Sequence, residues 1–129
     1  ISCRGKQVLL VEDNELNLEI AVELLKYAGL NITTAKNGLE GLDKFKAAPP
    51  GTYALILMDI QMPVMNGLEA AKAIRALPVK DAQTVPIVAM TANAFPEDIA
   101  ATLQAGMNEH LSKPIDLEQF HSILQKWCQ

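Results

Sequence analysis

Cysteine is nearly absent: two in 129 residues, Cys3 and Cys128. They lie at opposite ends without metal-ligand spacing, which argues against a zinc or iron–sulfur scaffold. The pair reads as free thiols in a reducing cytoplasm, with a disulfide the other arrangement open to it. No apolar run approaches the roughly 20 residues needed to cross a bilayer, so no direct membrane contact is expected. Residues 1–6 are too polar for a signal peptide. Lysine and arginine occur singly and the formal charge is −4, which argues against a nucleic-acid surface. Internal repeats, low-complexity tracts and an internal domain boundary are missing too. What is present is apolar: half the residues, enough for one domain with a substantial core. The chain begins on Ile1, so residues 1–5 are expected to be a linker remnant and 6–129 a single domain.

The chain is organised around one stretch. Residues 53–58 are an unbroken apolar run, as in a strand buried on both faces of a parallel sheet. Asp59 stands at its end. Pro63 and Gly67 then turn the chain toward a helix. Similar strands are expected at 7–11, 31–35, 85–90 and 110–112, the second toward an edge. Helices are expected after Asn14 as N-cap to about Ala28, then at 38–47, 68–76, 96–104 and 116–127. In the first of these, Leu16, Ile20, Leu24 and Leu25 recur at helical spacing. Pro49-Pro50-Gly51 and the polar residues 80–83 read as loops. Five strands alternating with helices predict a single three-layer α/β domain, flavodoxin-like (βα)5, with a parallel sheet in the order 2-1-3-4-5.

In that order the first and third strands are neighbours. Glu12 and Asp13 then meet Asp59 over one crevice, while Thr91 and Lys113 arrive from the fourth and fifth strands. Crowded carboxylates repel one another unless a cation neutralises them. An all-oxygen set favours a hard ion, Mg²⁺ above all. Lys113 is a compact positive charge with the reach of a phosphoryl oxygen, and Thr91 brings a hydroxyl donor. Singly, each has an ordinary explanation as a cap, a surface lysine or a strand threonine; five at matching strand ends do not.

The segments Glu12-Asp13-Asn14, Asp59-Ile60-Gln61-Met62-Pro63-Val64-Met65-Asn66-Gly67, Met90-Thr91-Ala92-Asn93-Ala94 and Ser112-Lys113-Pro114 resemble the receiver domains of two-component signalling. In wording they are most like the receivers of hybrid sensor histidine kinases. The resemblance spans about 6–129. It implies Asp59 as phosphoacceptor, with Glu12, Asp13, Asp59 and the Gln61 carbonyl holding Mg²⁺. It also implies Thr91 and Lys113 on the phosphoryl oxygens and a cis Lys113–Pro114 peptide. His110 stands where the family usually carries a Phe or Tyr that moves inward on phosphorylation, so either a switch role or an ordinary packed histidine is open to it.

On this resemblance, Asp59 attacks the phosphorus of a phosphohistidine. The partner is a histidine kinase dimerisation domain or a histidine phosphotransfer domain, docked on the first helix at Asn14, Leu16 and Asn17. The domain would promote its own phosphorylation and dephosphorylation, in the cytoplasm, alone or carried by a membrane-anchored kinase. The phosphoryl group then biases the packing of the helix after the fourth strand, with Ile99, Ala100, Leu103 and Leu111 as a candidate face. A stand-alone response regulator is the nearest alternative. A phosphoaspartate-forming phosphatase needs a second acid two residues after the nucleophile, where this chain has Gln61. A flavodoxin-like cofactor site needs a hydroxyl- and glycine-rich loop after the first strand, where this chain has Glu12-Asp13-Asn14-Glu15.

Overall fold

The computed structural model describes residues 5–92, 96–113 and 115–127. Cys3, Asn93, Ala94, Pro114 and Cys128 lie outside them, and with them the expected thiol pair, part of the fourth-strand motif and the cis peptide. Five parallel strands pair in the order β2-β1-β3-β4-β5. They are β1 (Gln7–Val11), β2 (Asn31–Ala35), β3 (Tyr53–Asp59), β4 (Ile87–Thr91) and β5 (Glu109–Ser112). The helices are α1 (Glu15–Tyr27), α2 (Gly38–Ala47), α3 (Gly67–Arg75), α4 (Lys80–Thr84), α5 (Pro96–Gln104) and α6 (Leu117–Trp127). The expected fold and strand order are found, with β2 at an edge.

Alternation along the central strands explains the layers. Leu9, Val11, Ile56, Met58, Ile87 and Ala89 pack with residues of α2 and α3. Val8, Leu10, Leu55, Leu57, Val88 and Met90 pack with residues of α1 and α6. Strands covered on both faces need no polar side, hence the unbroken apolar runs. Among the described residues no helix is long and apolar enough to cross a membrane.

Two expectations are corrected. Residues 80–83, read as loop, belong to α4, a single turn closed by the Val85 N–H donating to the Asp81 carbonyl at 2.9 Å. One turn is too short to show a helical period, and it forms because Ala82 is buried beneath it. The apolar stripe expected to seat α1 holds only in its second half, where Leu25 is buried and Leu24 packs against the core. Leu16 and Ile20 are 66% and 47% exposed, whereas Ala21 and Leu25 are buried, with Leu18 and Val22 packed beside them. The helix is apolar on two sides, and the core takes the side lined by Leu18, Ala21, Val22 and Leu25. The expected cap is present: Asn14 Oδ1 accepts from the Asn17 N–H at 3.0 Å.

Candidate phosphoacceptor site

Strand register gathers the site. Val11 pairs with Met58, Asp59 with Met90 and Thr91 with Ser112, so four strands end at one level. Glu12 and Asp13 follow β1, Asp59 closes β3, Thr91 closes β4 and Lys113 follows β5. The Lys113 N–H donates to the Thr91 carbonyl at 2.8 Å, extending that pairing one residue further.

Glu12, Asp13 and Asp59 each offer an oxygen, and these lie within 4.8 Å of one another. Glu12 and Asp59 are 2% and 5% exposed, while Asp13 faces solvent. The Lys113 ammonium bridges the buried pair, with Nζ 2.8 Å from Glu12 Oε1 and 3.1 Å from Asp59 Oδ1. The other Glu12 oxygen accepts from the Asn14 N–H at 3.2 Å. The Lys113 side chain that makes these contacts is only 18% exposed.

Burial pushes the Asp59 carboxyl up to about 7, and its hydrogen bond to Glu12 and the Glu12 charge push the same way, overriding Lys113. Burial alone would lower the Lys113 ammonium. Its hydrogen bond to Glu12 and the Asp59 charge outweigh that and raise it.

The segment after Asp59 is folded tightly onto the backbone of that residue. The Gly67 N–H donates to the Ile60 carbonyl at 2.8 Å, and a Cβ on Gly67 would overlap the Asp59 carbonyl oxygen. Only glycine lets α3 begin here. Asn66 and Glu69 cap α3 reciprocally, each side chain accepting from the other's backbone N–H at 2.9 and 3.0 Å. Between them and Asp59, Val64 sits at φ 70° in a three-residue turn closed by Met65 N–H to Pro63 carbonyl at 2.7 Å. A β-branched residue in that region is strained.

Gln61 is exposed in this segment, two residues past Asp59, and Thr91 is buried beside the cluster's strand ends. His110 is half-buried and pairs in register with Ala89. By alternation from buried Leu111, which packs with α1 and α6, His110 points to the opposite layer. Leu111 is therefore core, while Ala100 and Leu103 of the expected switch face are exposed.

A model of the response regulator receiver domain matches residues 8–125. The chain belongs to the receiver domain family. Its similarity to the peroxide stress-activated histidine kinase mak1 of Schizosaccharomyces pombe is 38% identity over 121 residues, 93% of this chain and 7% of that protein. The receiver thus spans a small part of such relatives. The receiver domain of sensor histidine kinase PA1611 from Pseudomonas aeruginosa, with a magnesium ion in its active-site cleft, superposes with a TM-score of 0.86 at 37% identity, covering 96% of this chain and 98% of that one. The receiver of Ssk1 in complex with the phosphotransfer protein Ypd1, from Saccharomyces cerevisiae, gives 0.84 at 33% identity, covering 97% and 90%.

Proposed function

We propose that this receiver takes a phosphoryl group from a phosphohistidine onto Asp59, as one step of a phosphorelay. The observation that carries the reading is the charge of the cluster. When all three are ionised, the carboxylates within 4.8 Å and one ammonium leave two negative charges at one strand-end level, which the raised Asp59 carboxyl resists until a cation arrives. A divalent cation makes the sum zero. The donors are all oxygen and suit Mg²⁺: Glu12, Asp13 and Asp59 carboxylates with the Gln61 carbonyl would hold it. When bound, it supplies neutralisation of the acceptor and of the phosphoryl oxygens.

The Asp59 oxygen attacks phosphorus, the N–P bond breaks, and its electron pair leaves on the imidazole. The chain's own part is placement. Gly67 and the capped α3 fix the acceptor backbone, and Lys113 turns from its carboxylates toward the incoming oxygens. Water later cleaves the acyl phosphate, or a second histidine accepts it. The Thr91 hydroxyl moves toward the phosphoryl group and His110 follows, shifting the balance of α5, β5 and α6 between two packings.

The partner is a histidine on a helical surface, carried by a kinase dimerisation domain or a phosphotransfer domain. The exposed apolar line of Leu16, Ile20 and Tyr27 on α1 supports this, as does the Ssk1 receiver's complex with a phosphotransfer protein. The kinships named above favour a hybrid histidine kinase as parent chain.

Incubation with Mg²⁺ and acetyl phosphate should add one hydroxylamine-labile phosphoryl group, lost in Asp59→Asn. Labelling that persists in Asp59→Asn would remove Asp59 as acceptor. Leu16→Glu should slow transfer from a phosphorylated protein partner and leave acetyl phosphate labelling unchanged; equal loss with both donors would mean damage to the site.

A further inference from the structure

Helix α5 is held unevenly. Of its nine residues only Thr102 is buried, and that hydroxyl donates within the helix to the Ile99 carbonyl at 2.7 Å. The turn after it is the reverse. Ala105 and Met107 are buried with the α2 and α3 layer, and Gly106 takes φ 96°. Asn108 closes on β4: its N–H donates to the Ile87 carbonyl at 2.8 Å, and its Oδ1 accepts from the Ile87 N–H at 2.9 Å. One end of the helix is anchored and the other lies on the surface.

Arg75 ties that anchor together. From the last residue of α3, Nε donates to the Gly106 carbonyl at 2.9 Å, one terminal nitrogen to Asn108 Oδ1 at 2.9 Å and the other to the Ala82 carbonyl at 3.0 Å. Its stem lies so close to Gly106 that a Cβ there would sit 2.8 Å from Arg75 Cγ. All three acceptors are neutral, and among the described residues no carboxylate forms an ion pair with Arg75. Each acceptor is met by a different nitrogen of the planar fork, and the single nitrogen of a lysine does not match that spread. Gly67, at the other end of α3, is packed on the Asp59 backbone. Helix α3 therefore runs as a strut of nine residues, about 13 Å, from the acceptor to the anchor of α5.

We propose that Arg75 is the fixed pivot of the phosphorylation switch. It is a positioning residue: α5 swings about the Gly106 turn while Arg75 keeps that turn, α4 and β4 in register with α3. Displacement at the site thereby passes to the exposed end of α5 and to β5 and α6 without unseating the turn at residues 105–108 that joins them. This rests on Asp59 being the phosphoacceptor.

The test is amide exchange by mass spectrometry with and without acetyl phosphate and Mg²⁺, on wild type, Arg75→Gln and Arg75→Lys, with phosphorylation read from intact mass. In wild type, phosphorylation should alter exchange in α5 and leave the turn at residues 105–108 unchanged. Both variants should gain the phosphoryl group at the wild-type rate, but on phosphorylation exchange at 105–108 should quicken about tenfold, the scale of one to two lost hydrogen bonds. A purely structural Arg75 would loosen 105–108 equally in both phosphorylation states, and that result overturns the pivot. So does a phosphorylated variant whose 105–108 exchange stays unchanged. Asn108→Ser, which removes the shared acceptor and leaves Arg75 in place, gives the same comparison if Arg75→Gln does not fold. If wild type takes no phosphoryl group, the phosphoacceptor reading falls and the pivot with it.

Discussion

Asp59→Asn should make this receiver more stable, and by an amount that depends on pH. The Asp59 carboxyl is raised from 3.8 to about 7, chiefly by burial and then by Glu12. In the unfolded chain it ionises near its ordinary value. Below that value both states are protonated and the substitution changes little. As pH rises from about 4 to about 7 the unfolded state sheds its proton first, so the folded state loses stability throughout that window. At about 1.4 kcal/mol per pH unit, the full shift amounts to about 4 kcal/mol above pH 7. Relaxation of Glu12 and Lys113 makes about 2–4 kcal/mol the working expectation. For a domain of this length each kcal/mol moves the midpoint by about 4 °C. Thermal unfolding by circular dichroism, at steps from pH 4.5 to 8.5 without metal, should show the gap between Asp59→Asn and wild type opening with pH. Saturating Mg²⁺ should then stabilise wild type more than the variant and narrow the gap. A gap that is constant across pH, or Mg²⁺ that stabilises both alike, would show that Asp59 is not electrostatically strained by its neighbours.

Lys113→Met should cost about 2–4 kcal/mol in metal-free buffer, because it leaves Glu12 and Asp59 buried without a countercharge. Mg²⁺ should recover part of this while acetyl phosphate labelling stays low; a metal-free midpoint equal to wild type would refute the pairing. Asp13→Asn should leave the apo midpoint near wild type, since Asp13 faces solvent, and weaken Mg²⁺ at least tenfold by titration; unchanged affinity would take Asp13 out of the ligand set. Val64→Asn should gain about 1 kcal/mol, because asparagine tolerates the left-handed backbone that Val64 holds at φ 70°; lower stability in urea would mean that the valine side chain has a packing role.

Most of the site could be read in the chain because strand ends are visible where apolar runs stop. Glu12, Asp13, Asp59, Thr91 and Lys113 each follow or close such a run, and the strand order alone brings them together. Burial was less legible. Leu16 and Ile20 have helical spacing yet face solvent, because spacing defines a stripe and not which stripe the sheet will cover. Lys113 looks like a surface lysine until Glu12 and Asp59 close around it. Arg75 carried no signal at all: its acceptors are two carbonyls and an amide from segments 7 to 33 residues away, and carbonyls have no sequence signature.

The two caps that begin α2 and α3 bear on how this protein ages. Asn37-Gly38 and Asn66-Gly67 are the dipeptide that, in a flexible peptide, loses ammonia when the glycine nitrogen attacks the asparagine side chain. Here both nitrogens are engaged, the Gly38 N–H with the Met65 carbonyl at 2.9 Å and the Gly67 N–H with the Ile60 carbonyl at 2.8 Å. Both side-chain oxygens are also engaged, each accepting from the N–H three residues on. Cyclisation therefore has to wait for the caps to open. An isoaspartate at residue 66 would insert a methylene into the backbone one residue before the glycine that packs on Asp59. Chemical damage at that position would thus accumulate with the time the domain spends unfolded, and would displace Asp59 without touching its side chain.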